Sequence, residues 1–198
     1  MLMRLDLKIV QQWISNQSRV LDLGCGDGSL LLQLKQTRQI DGLGLEIDAG
    51  NISLGIAAGL NIIEQDMDRG LENFADQSFD TVVLAHALQA VHNPHLVLDE
   101  MLRIGSEGIV TFPNFGHWSC RLYLGTRGRM PVSKFMPHAW YDTPNIHFCT
   151  VRDFEALCAQ QNIRILNKAM VSRKNTNPWF ARMVPNLFAT TAVYHISK

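Results

Sequence analysis

The four cysteines of this 198-residue chain include no C-x-x-C pair, which excludes a disulfide framework and a zinc knuckle. Cys25, Cys120, Cys149 and Cys158 stand far apart, and such dispersal fits a reducing compartment. No segment offers the roughly 20 consecutive apolar residues that a membrane helix needs. The first residues hold Asp6 and Trp13 in place of the apolar core of a secretion signal, so a soluble, cytoplasmic protein is expected. The seven histidines take no metal-ligand spacing with Cys, Asp or Glu, and no metal is expected. Internal repeats and low-complexity tracts are absent. Net charge is zero but unevenly spread: no acid follows Glu155, whereas Arg164, Lys168, Arg173, Lys174, Arg182 and Lys198 do, leaving about −6 before and +6 after. No aromatic-basic module accompanies these cations, which disfavours a nucleic-acid partner. With 46% hydrophobic residues the chain can bury a sizeable core as one domain, residues 1–198.

What is present centres on Val20 to Ser29, VLDLGCGDGS. Val20, Leu21 and Leu23 predict a buried strand, and Gly24, Gly26 and Gly28 follow at once, before a helix starts near Leu30. Glycine allows positive φ and lets a ligand approach bare backbone, while the first free N–H groups of the next helix face the same point. The G-x-G-x-G spacing lacks the third glycine of the dinucleotide fingerprint. Asp22, two residues before Gly24, suits a ligand carrying an ammonium and a sulfonium rather than a pyrophosphate. The stretch, including Cys25, resembles motif I of the class I S-adenosylmethionine-dependent methyltransferases.

Upstream, Ile9, Val10, Trp13 and Ile14 predict an amphipathic helix from Leu5 to Asn16, packed in front of the first strand. Downstream, Leu30 to Gln36 completes a helix and Gly42 to Ile47 forms the second strand. Glu46 lies 22 residues beyond Gly24, the place from which an acid accepts hydrogen bonds from both ribose hydroxyls. A nicotinamide cofactor and adenosylmethionine are served equally by that arrangement, with Ile47 beside it. Asp48 is the cap of the next helix. Asn61 to Gln65 is the third strand; in the methyltransferase pattern Asp66 reaches the adenine amino group and the Met67 N–H a ring nitrogen. Phe79 to Ala85 is a β-branched fourth strand whose end, Ala85, completes the rim. Asn93-Pro94 opens a helix, Ile109 to Phe112 is a fifth strand, and Thr150 with Asp153 forms a capping box. Ile163 to Val171 and Leu187 to Ile196 complete the sheet, with an aromatic turn at Asn177-Pro178-Trp179-Phe180 between them. The fold class is therefore α/β: a Rossmann-like, seven-stranded, mostly parallel sheet with helices on both faces, binding its ligand at the strand carboxyl ends.

Between Pro113 and Asn145 the alternation stops. This irregular insertion carries Phe115, Trp118, Tyr123, Phe135, Trp140 and Tyr141 with Arg121, Arg127, Arg129 and Lys134, the composition of a lid or a docking surface. No residue is assigned a catalytic role. His86 and His92 stand where a base would, and no Asn-Pro-Pro-Tyr segment follows the fourth strand, which disfavours methylation of base or glutamine amino groups.

The stretches RLDLKIV (from Arg4), LEID (from Leu45), LQAVHNP (from Leu88), TFPNFGHW (from Thr111), GRMPVSK (from Gly128) and WYDTPNIHFCTVRDFE (from Trp140) resemble the MetW family of methionine biosynthesis proteins. His86 differs from the polar residue usual there. The resemblance implies a class I methyltransferase fold and a role beside a homoserine O-acyltransferase, which members of the family bind and activate. Two expectations follow. In one, the protein binds S-adenosylmethionine or S-adenosylhomocysteine and serves as that enzyme's partner. In the other, it methylates a small molecule under the insertion.

Overall fold

Runs of Val, Leu and Ile place seven strands in one sheet: β1 Arg19–Leu23, β2 Asp41–Glu46, β3 Asn61–Glu64, β4 Phe79–Ala85, β5 Gly105–Pro113, β6 Arg164–Val171 and β7 Thr191–Ser197. The computed structural model describes residues 5–133, 136–172 and 183–198. Strand order is β3-β2-β1-β4-β5-β7-β6, parallel throughout except for β7, which runs antiparallel to β5 and β6. Asp22 of β1 lies level with Gly44 of β2 and Val83 of β4. The winding reverses between β1 and β4, so a crevice opens at the carboxyl ends of β1, β2 and β4.

Helices α1 Leu5–Trp13, α2 Ser29–Arg38, α3 Ala49–Ala57, α4 Pro94–Ile104, α5 Trp118–Arg127, α6 Val151–Gln160 and α7 Pro185–Phe188 accompany the strands. Alternate strand residues face opposite layers. Leu21, Val82, Leu84, Val110 and Phe112 pack with α4 and α6 residues such as Met101 and Phe154. Val20, Val83, Ile109 and Val193 pack on the other side with Val10 of α1 and Leu31 and Leu34 of α2. The expected α/β class holds, and no helix among the described residues is long and apolar enough to cross a membrane.

Local signals hold well. Asp48 caps α3 by accepting from the Asn51 N–H at 2.8 Å, and Thr150 with Asp153 forms both halves of the capping box. Pro94 occupies the first turn of α4, although the Asn93 side chain makes no cap hydrogen bond.

Besides shifts of one to three residues at the ends of α1, α2, β2 and β3, four features differ from expectation. Helix α1 contacts β7 and β6 rather than standing before β1 alone, because Trp13 stacks on His195 at 5.7 Å. Strand β5 begins at Gly105, directly after α4, since Gly105 is already extended. Leu187 belongs to the short α7, with Pro185 in its first turn, and β7 starts at Thr191. The insertion is not wholly irregular: α5 forms within it, capped by His117, whose Nδ1 accepts from the Ser119 N–H at 3.2 Å. A histidine cap carries none of the Ser, Thr, Asp or Asn signal by which helix starts are read. The Asn177 to Phe180 turn, Arg4, Lys134, Phe135, Arg173, Lys174 and Arg182 lie outside the described residues.

Candidate functional site

The turn after β1 is held by backbone. Gly24, Gly26 and Gly28 take φ of 72°, 56° and 74°, and the N–H groups of Gly24 and Cys25 both donate to the Leu45 carbonyl at 2.9 Å. The three glycines serve different ends. A Cβ on Gly28 would press into Leu60, and one on Gly24 would sit 3.3 Å from both Met67 Cε and Ala87 Cβ. At Gly26 a Cβ would meet nothing within 4 Å. There alone in the turn does bare backbone face open space.

Two carboxylates stand behind this turn. Glu46, at the end of β2, accepts from the Gly26 N–H through Oε2 at 2.7 Å and from the Ile47 and Asp48 N–H groups through Oε1 at 2.8 and 3.0 Å. Asp22 is only 2% exposed, and its Oδ1 has no hydrogen-bond partner. Burial, reinforced by the Glu46 charge, pushes its carboxyl up to about 7. Burial likewise pushes the Cys25 thiol up to about 12, so it stays protonated at neutral pH and is no nucleophile.

Asp22 gives stability a pH signature. An unfolded Asp titrates at its ordinary value of 3.8, well below the folded value of about 7, so the folded state holds this proton more tightly. The stability from neutral burial is complete below about pH 4 and is lost as pH rises to about 7. Urea midpoints of the ligand-free protein are expected to fall between pH 5 and 8, and Asp22→Asn to flatten that fall. Parallel profiles for the two proteins would show that Asp22 is already ionised in the fold.

Asp66 starts a short 3₁₀ turn, Met67–Arg69, accepting from the Asp68 N–H at 3.0 Å and standing 3.5 Å from Arg69 Nε. With Ile47, Gln65 and Asn73 it lines an open cleft of about 740 Å³ beside the turn. The sequence-predicted residues thus divide. Asp22, Gly24, Cys25, Gly26, Glu46, Met67 and Ala85 gather at the ends of β1, β2 and β4; Ile47 and Asp66 line the adjoining cleft; Gly28 backs onto Leu60.

Sequence reasoning missed Asp6. This carboxylate is 2% exposed on α1, and its Oδ2 lies 2.6 Å from Nε2 of His86, the residue after β4, which takes φ of 60°. Asp6 falls on the apolar stripe with Ile9, Val10 and Trp13, and a charge in such a stripe is the signal that could have found it. His92, the other candidate base, is engaged too. Its N–H donates to Asp68 Oδ1 at 2.8 Å, and its Nδ1 lies 2.9 Å from Oδ2. Burial pushes the Asp68 carboxyl up, but these His92 contacts outweigh it and hold it below the usual range.

Beyond β4 and β5, separated stretches interlock. Asn114, fully buried, donates to the Ala189 carbonyl at 2.8 Å and accepts from the Gly116 and Val151 N–H groups. The Gln89 carbonyl accepts from the His147 N–H, the Cys149 carbonyl accepts from the Phe115 N–H, and Phe115 packs on Phe148 at 4.8 Å. Parts of the stretches 88–94, 111–118 and 140–155, which carry the family resemblance in the sequence, therefore join into one platform beyond β4 and β5.

The chain matches the family model described as methionine biosynthesis protein MetW over residues 4–196. It is 34% identical over 200 residues to the bifunctional methionine biosynthesis protein MetXA/MetW of Rhodopirellula baltica, covering 96% of this chain. The chain spans about a third of that relative, 32% of its length. Among solved structures, an S-adenosylmethionine-dependent methyltransferase from Mesorhizobium loti superposes with a TM-score of 0.71 at 15% identity, over 98% of both chains. The [4+2]-cyclase SpnF superposes at 0.69 and 15% identity, over 97% of this chain and 80% of the other. Those likenesses are of fold alone, and one fold named for two chemistries does not decide a reaction. The family model, by contrast, runs through the glycine turn and the interlocked platform alike: the chain belongs to the MetW family of methionine biosynthesis proteins.

Proposed function

We propose that the protein binds S-adenosylmethionine, or S-adenosylhomocysteine, at the crevice of β1, β2 and β4, and in the cytoplasm binds and activates a homoserine O-acyltransferase. One observation carries the ligand reading: Asp22 Oδ1 is buried without a partner, on the strand that leads into the turn where the Gly26 backbone faces open space. A buried polar atom left unpaired costs free energy that a ligand ammonium would recover. The fit extends to the neighbours. Glu46 would accept from ribose hydroxyls, with Ile47 beside it. Asp66 and the Met67 N–H would meet the adenine, and Gly24, Cys25, Gly28 and Ala85 would shape the turn and rim. When bound, the ligand supplies a sulfonium with an activated methyl group. The partner reading rests on the family resemblance and is supported by the Rhodopirellula baltica relative, a single polypeptide named for MetXA and MetW together.

Calorimetry with S-adenosylmethionine and a homoserine acylation assay, run with and without this protein, test the two halves. Saturable binding, a complex and a change of at least a few-fold in acylation rate are expected. Absence of both complex and rate change would end the partner reading. A second reading, a methyltransferase acting on a small molecule, is favoured by the Asp6–His86 pair after β4, the arrangement of a base with its orienting carboxylate. It requires adenosylhomocysteine to form only when an acceptor is added.

A further inference from the structure

Helix α5 leaves the body of the protein after its first turn. Cys120 is its buried residue, yet Tyr123 and Leu124, three and four positions on and so on the same side, are exposed. Trp118 and Leu122, on another side, are exposed as well, and a Cβ on Gly125 or Gly128 would meet nothing within 4 Å. Every residue from Arg121 to Arg129 is exposed. A ten-residue helix is marginal in water by itself, and stability in short helices comes from packing an apolar face. Its base is fixed, however: Arg121 Nε donates to the Gly116 carbonyl at 2.6 Å, beside the Asn114 knot. The helix is thus rooted at its first turn and exposed from Arg121 onward.

Its charge is one-sided. No acid occurs between Glu107 and Asp142, and among the described residues Arg127 and Arg129 make no ion pair. A helix that exposes Trp118, Leu122, Tyr123 and Leu124 beside guanidinium groups that meet no acid among the described residues fits a groove with apolar floor and acidic rim. We propose that α5 is the docking element of this chain and inserts into such a groove on the homoserine O-acyltransferase. The proposal rests on the partner reading above; the MetXA/MetW relative supports the occupant, because a region like this chain there shares one polypeptide with a MetXA portion. α5 follows β5 at the carboxyl end of the sheet, the end that carries the glycine turn.

The test measures the affinity of the full chain for the acyltransferase by calorimetry or co-elution, using Tyr123→Glu and, separately, Arg127→Glu. Each is expected to weaken the complex about tenfold or more, while adenosylmethionine affinity and helical circular dichroism stay at wild-type values. Raising salt to about 0.5 M should weaken the wild-type complex and have less effect on Arg127→Glu. Should Tyr123→Glu fail to fold, Arg127→Glu, at a solvent-facing position, decides alone. Wild-type affinity in the variants would overturn the docking proposal and leave the partner reading intact. No complex with the wild-type chain would overturn both. If instead the wild-type chain self-associates and Arg127→Glu releases it, a second copy is the occupant and the proposal is wrong.

Discussion

Gly26→Val is expected to weaken adenosylmethionine binding about a hundredfold, a loss of about 2.7 kcal/mol, with the fold retained. The residue holds φ of 56°, which costs a β-branched side chain about 1–2 kcal/mol, and its Cβ would project into the open space that the ligand is proposed to enter. Gly28→Ala makes the contrast. Its Cβ would meet Leu60 in the core, so that variant should lose thermal stability first and affinity only as a consequence. Calorimetry and thermal melts on both proteins separate the effects. An unchanged affinity for Gly26→Val would mean that the ligand does not approach the turn from this side.

Glu46→Ala is the second large effect. It should reduce affinity to a comparable degree and, unlike Gly26→Val, also destabilise the ligand-free protein by about 1–3 kcal/mol. The reason lies in the geometry, since the carboxylate holds three backbone N–H groups from the turn and the start of the next loop. Its four lone-pair sites leave room for one ribose hydroxyl without disturbance, and a second must compete with a backbone donor. Glu46→Gln, which keeps one carbonyl oxygen, should therefore fall between wild type and Glu46→Ala in both affinity and urea midpoint. Full stability in Glu46→Ala would show that the turn holds itself without the acid.

The extent to which the sequence sufficed follows from how far apart the interacting residues lie. The strand-turn-helix around Gly24 to Gly28, the register of Glu46 with it, the Asp48 cap and the Thr150 capping box depend on residues within a few positions or on a regular spacing. Local geometry then leaves little choice, and each was legible. Family-specific stretches were legible too, but not the fact that Gln89, Asn114, Phe115 and Cys149 lock together, because such contacts join segments up to 75 residues apart. Helix α5 was hidden by its histidine cap and by the apolar side chains it leaves in water, which no burial period can reveal.

The sequence by itself determined the α/β class, the position of the glycine turn and the acids at the strand ends, because periodicity and turn chemistry are properties of neighbouring residues. Only the tertiary structure decided what each of them faces. It set Asp22 Oδ1 in the interior without a partner, turned Gly26 to open space and Gly28 to Leu60, and joined Asp6 to His86 across 80 positions. Burial and pairing are set by segments that meet only when the sheet is assembled, and the same assembly left α5 standing beyond it.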